Sequence, residues 1–123
     1  MKILVGCDPE FFVRKDGKYH SAWGLVPGTK AAPYMVQKGA VQVDGMALEF
    51  NIDPANGVAK FTENVETVLA QLREMVHPEY HFAFEPSVHF DQAHLDAQPD
   101  EAKMLGCDPD FNAWTGAANQ PPN

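Results

Sequence analysis

The stretch from Lys60 to Val76 repeats apolar residues at helical spacing, with Phe61, Val65, Val68, Leu69, Leu72, Met75 and Val76 on one stripe and Pro78 stopping it. A helix with one such stripe must bury it against another layer. The chain offers strands for that layer. In Ala47 to Ile52, Leu48, Phe50 and Ile52 alternate with Ala47, Glu49 and Asn51, a period of two that sends the apolar trio to one face and the polar pair to the other. The pattern predicts an α+β fold, a mainly antiparallel sheet with one main helix packed on one face. Val13, Leu48, Phe50 and Phe82 are the expected partners of the helix, while Glu63, Glu66, Arg73 and Glu74 form its solvated side.

The remaining strands are read from short apolar runs and turn signals. Ile3 to Val5 and Glu10 to Arg14 are expected strands interrupted at Pro9, and Asp16-Gly17 is a strong hairpin signal before Tyr19 to Ala22 returns. Trp23 to Pro33 contains Gly24, Pro27, Gly28 and Pro33 and predicts an irregular loop carrying Thr29 and Lys30. Gln42 to Asp44 and Ala47 to Ile52 are two strand pieces joined through Gly45, at a bulge or a tight bend. Tyr80, Phe82, Phe84, Val88 and Phe90 predict a further strand or strand pair, and Asp91 to Glu101 a crossing loop with a short helix. A chain of 123 residues fits one domain. That domain is expected to span 1–114, with 115–123 a flexible tail rich in Gly, Ala, Asn, Gln and Pro.

Charge narrows the partners. Nine Lys and Arg against seventeen Asp and Glu give a formal net charge of −8, which repels nucleic-acid phosphates and disfavours an anionic membrane surface. No apolar run reaches the length of a membrane-spanning helix, and Met1 to Val5 meets an acidic motif too soon for a signal peptide, so the expected compartment is the cytosol. Cys7 and Cys107 are then expected as free thiols acting as small hydrophobes.

The chemistry is concentrated in a repeat. Gly6-Cys7-Asp8-Pro9-Glu10-Phe11 returns as Gly106-Cys107-Asp108-Pro109-Asp110-Phe111, with Glu exchanged for Asp. Carboxylates two residues apart in an extended segment share a face and can share a cation. A third acidic element, Asp44-Gly45-Met46-Ala47-Leu48-Glu49-Phe50-Asn51, lies between the copies. Glycine, proline and aspartate also encode a kinked strand edge irrespective of chemistry. Other catalytic readings are weaker. Ser21 and Ser87 lack a strand-turn-helix elbow, Cys7 and Cys107 lack a placed base and sit beside Asp, and a glycosidase pair from Glu10 and Glu49 lacks an aromatic sugar platform.

In these three motifs, taken in order and continued through Asn112-Ala113-Trp114, the sequence resembles the phage-encoded carboxylate-amine ligases of type 2, relatives of glutamate-cysteine ligases with a glutamine-synthetase-like fold. The resemblance covers nearly all of the chain. It implies a half-domain whose acidic sheet face holds magnesium and ATP, activating a small-molecule or peptide carboxylate as an acyl phosphate for attack by an amine. Glu10 and Glu49 are implied as the catalytic, metal-side carboxylates, with Asp8 as a further metal ligand and Asn51 on the cofactor side. Lys30 joins Asn51 as a cofactor-side candidate because it and Arg14 are the only basic residues placed near the site segments. Relatives carry a later half with a Gly-Gly-His-x-His-type strand and basic residues for the phosphates, which this sequence lacks. Two expectations follow: the amino-terminal part of a ligase whose site a second polypeptide or a homo-oligomer completes, or a non-catalytic phage inhibitor docking a basic host protein through its acidic surface.

Overall fold

In a computed structural model of the protein, which describes residues 2–104 and 111–118, eight strands and three helices follow one another. Their order is β1 (Glu10–Lys15), β2 (Lys18–His20), β3 (Tyr34–Val36), β4 (Gly39–Asp44), β5 (Ala47–Ile52), α1 (Val58–Met75), β6 (His81–Ala83), α2 (Gln92–Asp96), α3 (Asp100–Lys103), β7 (Phe111–Asn112) and β8 (Ala117–Ala118). The sheet runs β2-β1-β5-β4-β3, β6 adds to β1, and all its strand pairs are antiparallel.

Local sequence accounts for the turns. Asp16 and Gly17 both adopt positive φ (54° and 74°), the left-handed pair that a two-residue hairpin needs to match strand twist. Gly45, at φ 57°, makes the joint between β4 and β5 a tight turn, with Asp44 opposite Ala47. Extended pairing then puts Val41 and Val43 beside Phe50 and Leu48 on one face. There α1 lays down Val68 and Leu72, and Phe11, Val13, Ile52 and Val76 complete the core, with Phe61, Val65, Leu69 and Phe82 packed around it. Each large apolar side chain fully withdrawn from water contributes about 1.5–3 kcal/mol. Gly39 lets the helix approach: a Cβ there would lie 2.0 Å from the Asn51 carbonyl oxygen and 2.9 Å from Val68 Cγ2.

The predicted α+β architecture and the single main helix on one sheet face are therefore present. Several local expectations need correction. Ile3 to Val5 is not a strand; among the described residues only Val5 bridges, to Ala55, and no strand pairs with Ile3 or Leu4. The return after Asp16-Gly17 stops at His20, since the Ala22 amide leaves the ladder to bind the Met46 carbonyl. Val88 and Phe90 form no strand, and Phe90 packs its ring on Phe12. Tyr34–Val36 was legible as neither strand nor turn, yet it pairs with β4. The crossing segment holds two short helices rather than one. Residues 115–118, expected in a flexible tail, belong to the β7–β8 hairpin, with Trp114 97% exposed at its turn. The second motif copy, Gly106 to Asp110, lies outside the described residues.

Candidate metal centre

The face of the sheet opposite α1 carries the carboxylates, and strand register decides which of them meet. Glu10 is the direct partner of Glu49 across β1 and β5, and Gln42 is the direct partner of Glu49 across β4 and β5. Direct antiparallel partners project to the same side. One row across three strands thus reads Gln42, Glu49, Glu10. Asp44, two residues along β4 from Gln42, sits diagonally from Glu49 on that side. Glu10, Asp44 and Glu49 each bring one carboxylate oxygen to within 4.8 Å of the others.

Like charges directly opposite in a sheet destabilise it, and the cluster shows the effect. Burial, then the charge of Glu10 and a hydrogen bond with it, then the charges of Asp44 and Asp8, push Glu49 up to about 7. Gln42, itself buried, donates from Nε2 to Glu49 Oε2 at 3.0 Å and so holds that carboxyl in place. The Lys30 ammonium approaches Asp44 Oδ2 at 3.7 Å. Unit charges about 4 Å apart near a protein surface interact by about 4 kcal/mol whether they attract or repel, so this pair offsets at most one of the repulsions. One lysine does not neutralise three carboxylates.

The expected residues are therefore brought together unequally. Glu10 and Glu49 converge, as the alternation implied. The third carboxylate in reach is Asp44 and not Asp8, because Asp8 precedes β1 and acts on Glu49 only through its charge. Asn51 is exposed on the same face, one alternation beyond Glu49, and pairs in register with Ala40. Lys30 stands at the Asp44 end of the cluster. Asp44 and Gln42 were absent from the expected ligand set; the alternation of β4, extended backward from Asp44, is the signal that locates both.

The donor set fits magnesium. Three hard oxygens from separate carboxylates, open to solvent on one side, suit an ion that keeps several waters, and a cation offsets the repulsion that raises Glu49. Provision for ATP is poorer. Among the described residues, Lys30 is the basic side chain paired with the cluster, through Asp44, and Arg14 is committed to Glu85 Oε1 at 2.9 Å and to Tyr19. The fit to a triphosphate is incomplete. Cys7 is a thiol packed partly against the core, its pKa raised by burial and by Asp8, which argues against a thiolate nucleophile. No protein-family model, curated protein or solved structure matches the chain.

Proposed function

We propose that this chain is a magnesium-binding domain forming the metal-side, amino-terminal part of an ATP-dependent carboxylate-amine ligase, with its catalytic site completed by a second polypeptide or another copy. The direct pairing of Glu10 with Glu49, with Asp44 within 4.8 Å, carries the reading. Bound magnesium would supply positive charge for a phosphoryl group and for a carboxylate substrate. Glu10, Asp44 and Glu49 would hold that ion, Gln42 fixes the orientation of Glu49, and Lys30, paired with Asp44, places a positive charge at that end of the cluster. The motif resemblance supports the reaction class and is its sole support.

Calorimetric titration with magnesium or manganese tests the cation site, with Glu49→Gln and Glu10→Gln as controls. The reading expects binding by the unaltered protein and none by either variant. For the reaction, the chain on its own is expected not to release ADP from ATP with amine and carboxylate present, because electrostatic stabilisation of the transferring phosphoryl needs more positive groups than Lys30. ADP release that depends on both co-substrates and vanishes in Glu49→Gln would show a complete ligase instead.

The shortage of basic groups favours one second reading, a non-catalytic phage inhibitor that uses the same acidic face to dock a basic host protein. It expects no nucleotide binding at any magnesium concentration and salt-sensitive binding to a basic partner.

A further inference from the structure

Ser21 is 2% exposed, and both its main-chain polar groups are held by histidines. Its N–H donates to His94 Nε2 at 2.8 Å, and its carbonyl accepts from His20 Nδ1 at 2.8 Å. The Ser21 hydroxyl oxygen accepts the Trp23 amide at 3.1 Å, and the next amide, Ala22 N–H, binds the Met46 carbonyl in the β4–β5 turn. Ser21 and Ala22 thereby join β2, the segment containing α2, and the turn that carries Asp44.

The two histidines are not equivalent toward a proton. A backbone amide can only donate, so the His94 Nε2 that receives it must be unprotonated and the ring neutral. Protonation sets two donors against each other and breaks the contact. His20 donates through Nδ1 whether neutral or charged, so protonating it leaves its own bond intact while placing a charge against His94, whose ring centroid is 4.4 Å away. The far end of the same segment rests on the turn: Ala102 is buried, and a Cβ on Gly45 would lie 3.1 Å from the Ala102 carbonyl oxygen. We propose that His94 is a proton-operated latch, which when neutral docks residues 91–103 onto Ser21 and the β4–β5 turn, and when protonated releases them and uncovers the turn beside Asp44.

The surrounding charges fix the direction. A cleft of about 270 Å³ at the latch is lined by Lys15, Asp16, Lys18, Tyr19, His20 and Asp91 besides His94, and Tyr80 packs edge-on against His20. Asp91, the acid whose charge favours a protonated His94, is engaged with Lys18 Nζ at 2.8 Å. Burial first, then the neighbouring His20, hold His94 below its ordinary value of 6.5. The unfolded or undocked chain thus binds the proton more readily than the docked one. The contribution of neutral His94 to docking is fully present above pH 6.5 and is lost as pH falls below it toward the depressed value. This inference does not depend on the cation reading.

Hydrogen exchange of the full chain tests it, with rates corrected for intrinsic pH dependence and the amides in the middle of α1 as internal reference. Between about pH 7.5 and pH 5, protection of the amides in 92–103 relative to that reference should fall about tenfold. In His94→Gln, whose amide oxygen accepts the Ser21 N–H without titrating, the segment should stay protected at both values. Constant relative protection in the unaltered protein overturns the latch, as does an equal acid loss in His94→Gln. Imidazole nitrogen shifts give an answer that needs no variant: His94 carrying its neutral-pH proton on Nε2 also overturns it.

Discussion

Glu10 and Glu49 are direct partners in neighbouring strands, two carboxylates that the register of the sheet holds side by side on the face turned away from its helix. In a protein selected for stability alone this pair is a fault, since opposed like charges weaken a sheet. A neutralising ligand is the simplest compensation, and the consequences can be measured.

Stability should fall as pH rises from 4.5 to about 7, the interval between the ordinary value of Glu49 and its raised one. In that interval the folded chain binds more protons than the unfolded chain, so the sign is negative. Because Glu49 remains substantially solvated, the effect is on the order of 1 kcal/mol after allowance for screening. Thermal unfolding across this range should show the slope in the absence of divalent ions. Glu49→Gln, which keeps the hydrogen-bonding shape without the charge, should flatten it.

Magnesium or manganese should raise the melting temperature, since a ligand that binds only the folded state stabilises it by mass action. The rise should be greatest near pH 8, where Glu49 is ionised. Asp44→Asn should abolish it as fully as Glu10→Gln, whereas Asp8→Asn should leave most of it. Equal losses in Asp8→Asn and Asp44→Asn would show that the sheet register does not select the ligands.

Lys30→Ala should strengthen cation binding while weakening any binding of a nucleotide or inorganic phosphate. The lysine competes for Asp44 at 3.7 Å, and its removal makes the cluster more negative. Parallel titrations with manganese and with phosphate separate the two effects, and a common decrease in both would instead mark Lys30 as structural.

Leu72→Ala should cost about 2–5 kcal/mol, because Leu72 is fully buried between α1 and the sheet and its removal leaves a cavity. Leu69→Asp should also destabilise the fold strongly, by placing an unpaired charge at the partly buried edge of that core. Gly39→Ala tests the close approach of the layers: its Cβ would meet the Asn51 carbonyl oxygen at 2.0 Å, so β4 and β5 must shift. Denaturant unfolding measures all three. An unchanged midpoint for Gly39→Ala would contradict the contact geometry.

The features legible from the residues alone are local. The 3.6-residue stripe specified α1 to within a few residues of Val58–Met75, Asp16-Gly17 specified the first hairpin, and the alternation of Ala47 to Ile52 specified that Glu49 leaves the apolar face. Each depends on residues a few positions apart, where backbone geometry alone relates one side chain to the next. Pairing came from the folded chain: Glu10 with Glu49, Gln42 behind Glu49, Asp44 in place of Asp8, and the Ser21 amide on His94. Apolar Ile3 to Val5 favours a strand but among the described residues gains only the single Val5–Ala55 bridge, while Tyr34–Val36 becomes one because β4 offers an edge. Period two tells which face a side chain takes but not what stands across from it. A one-residue slip in register reverses every face, and the collective burial of Val41, Val43, Leu48 and Phe50 under α1 selects the register in which the carboxylates meet.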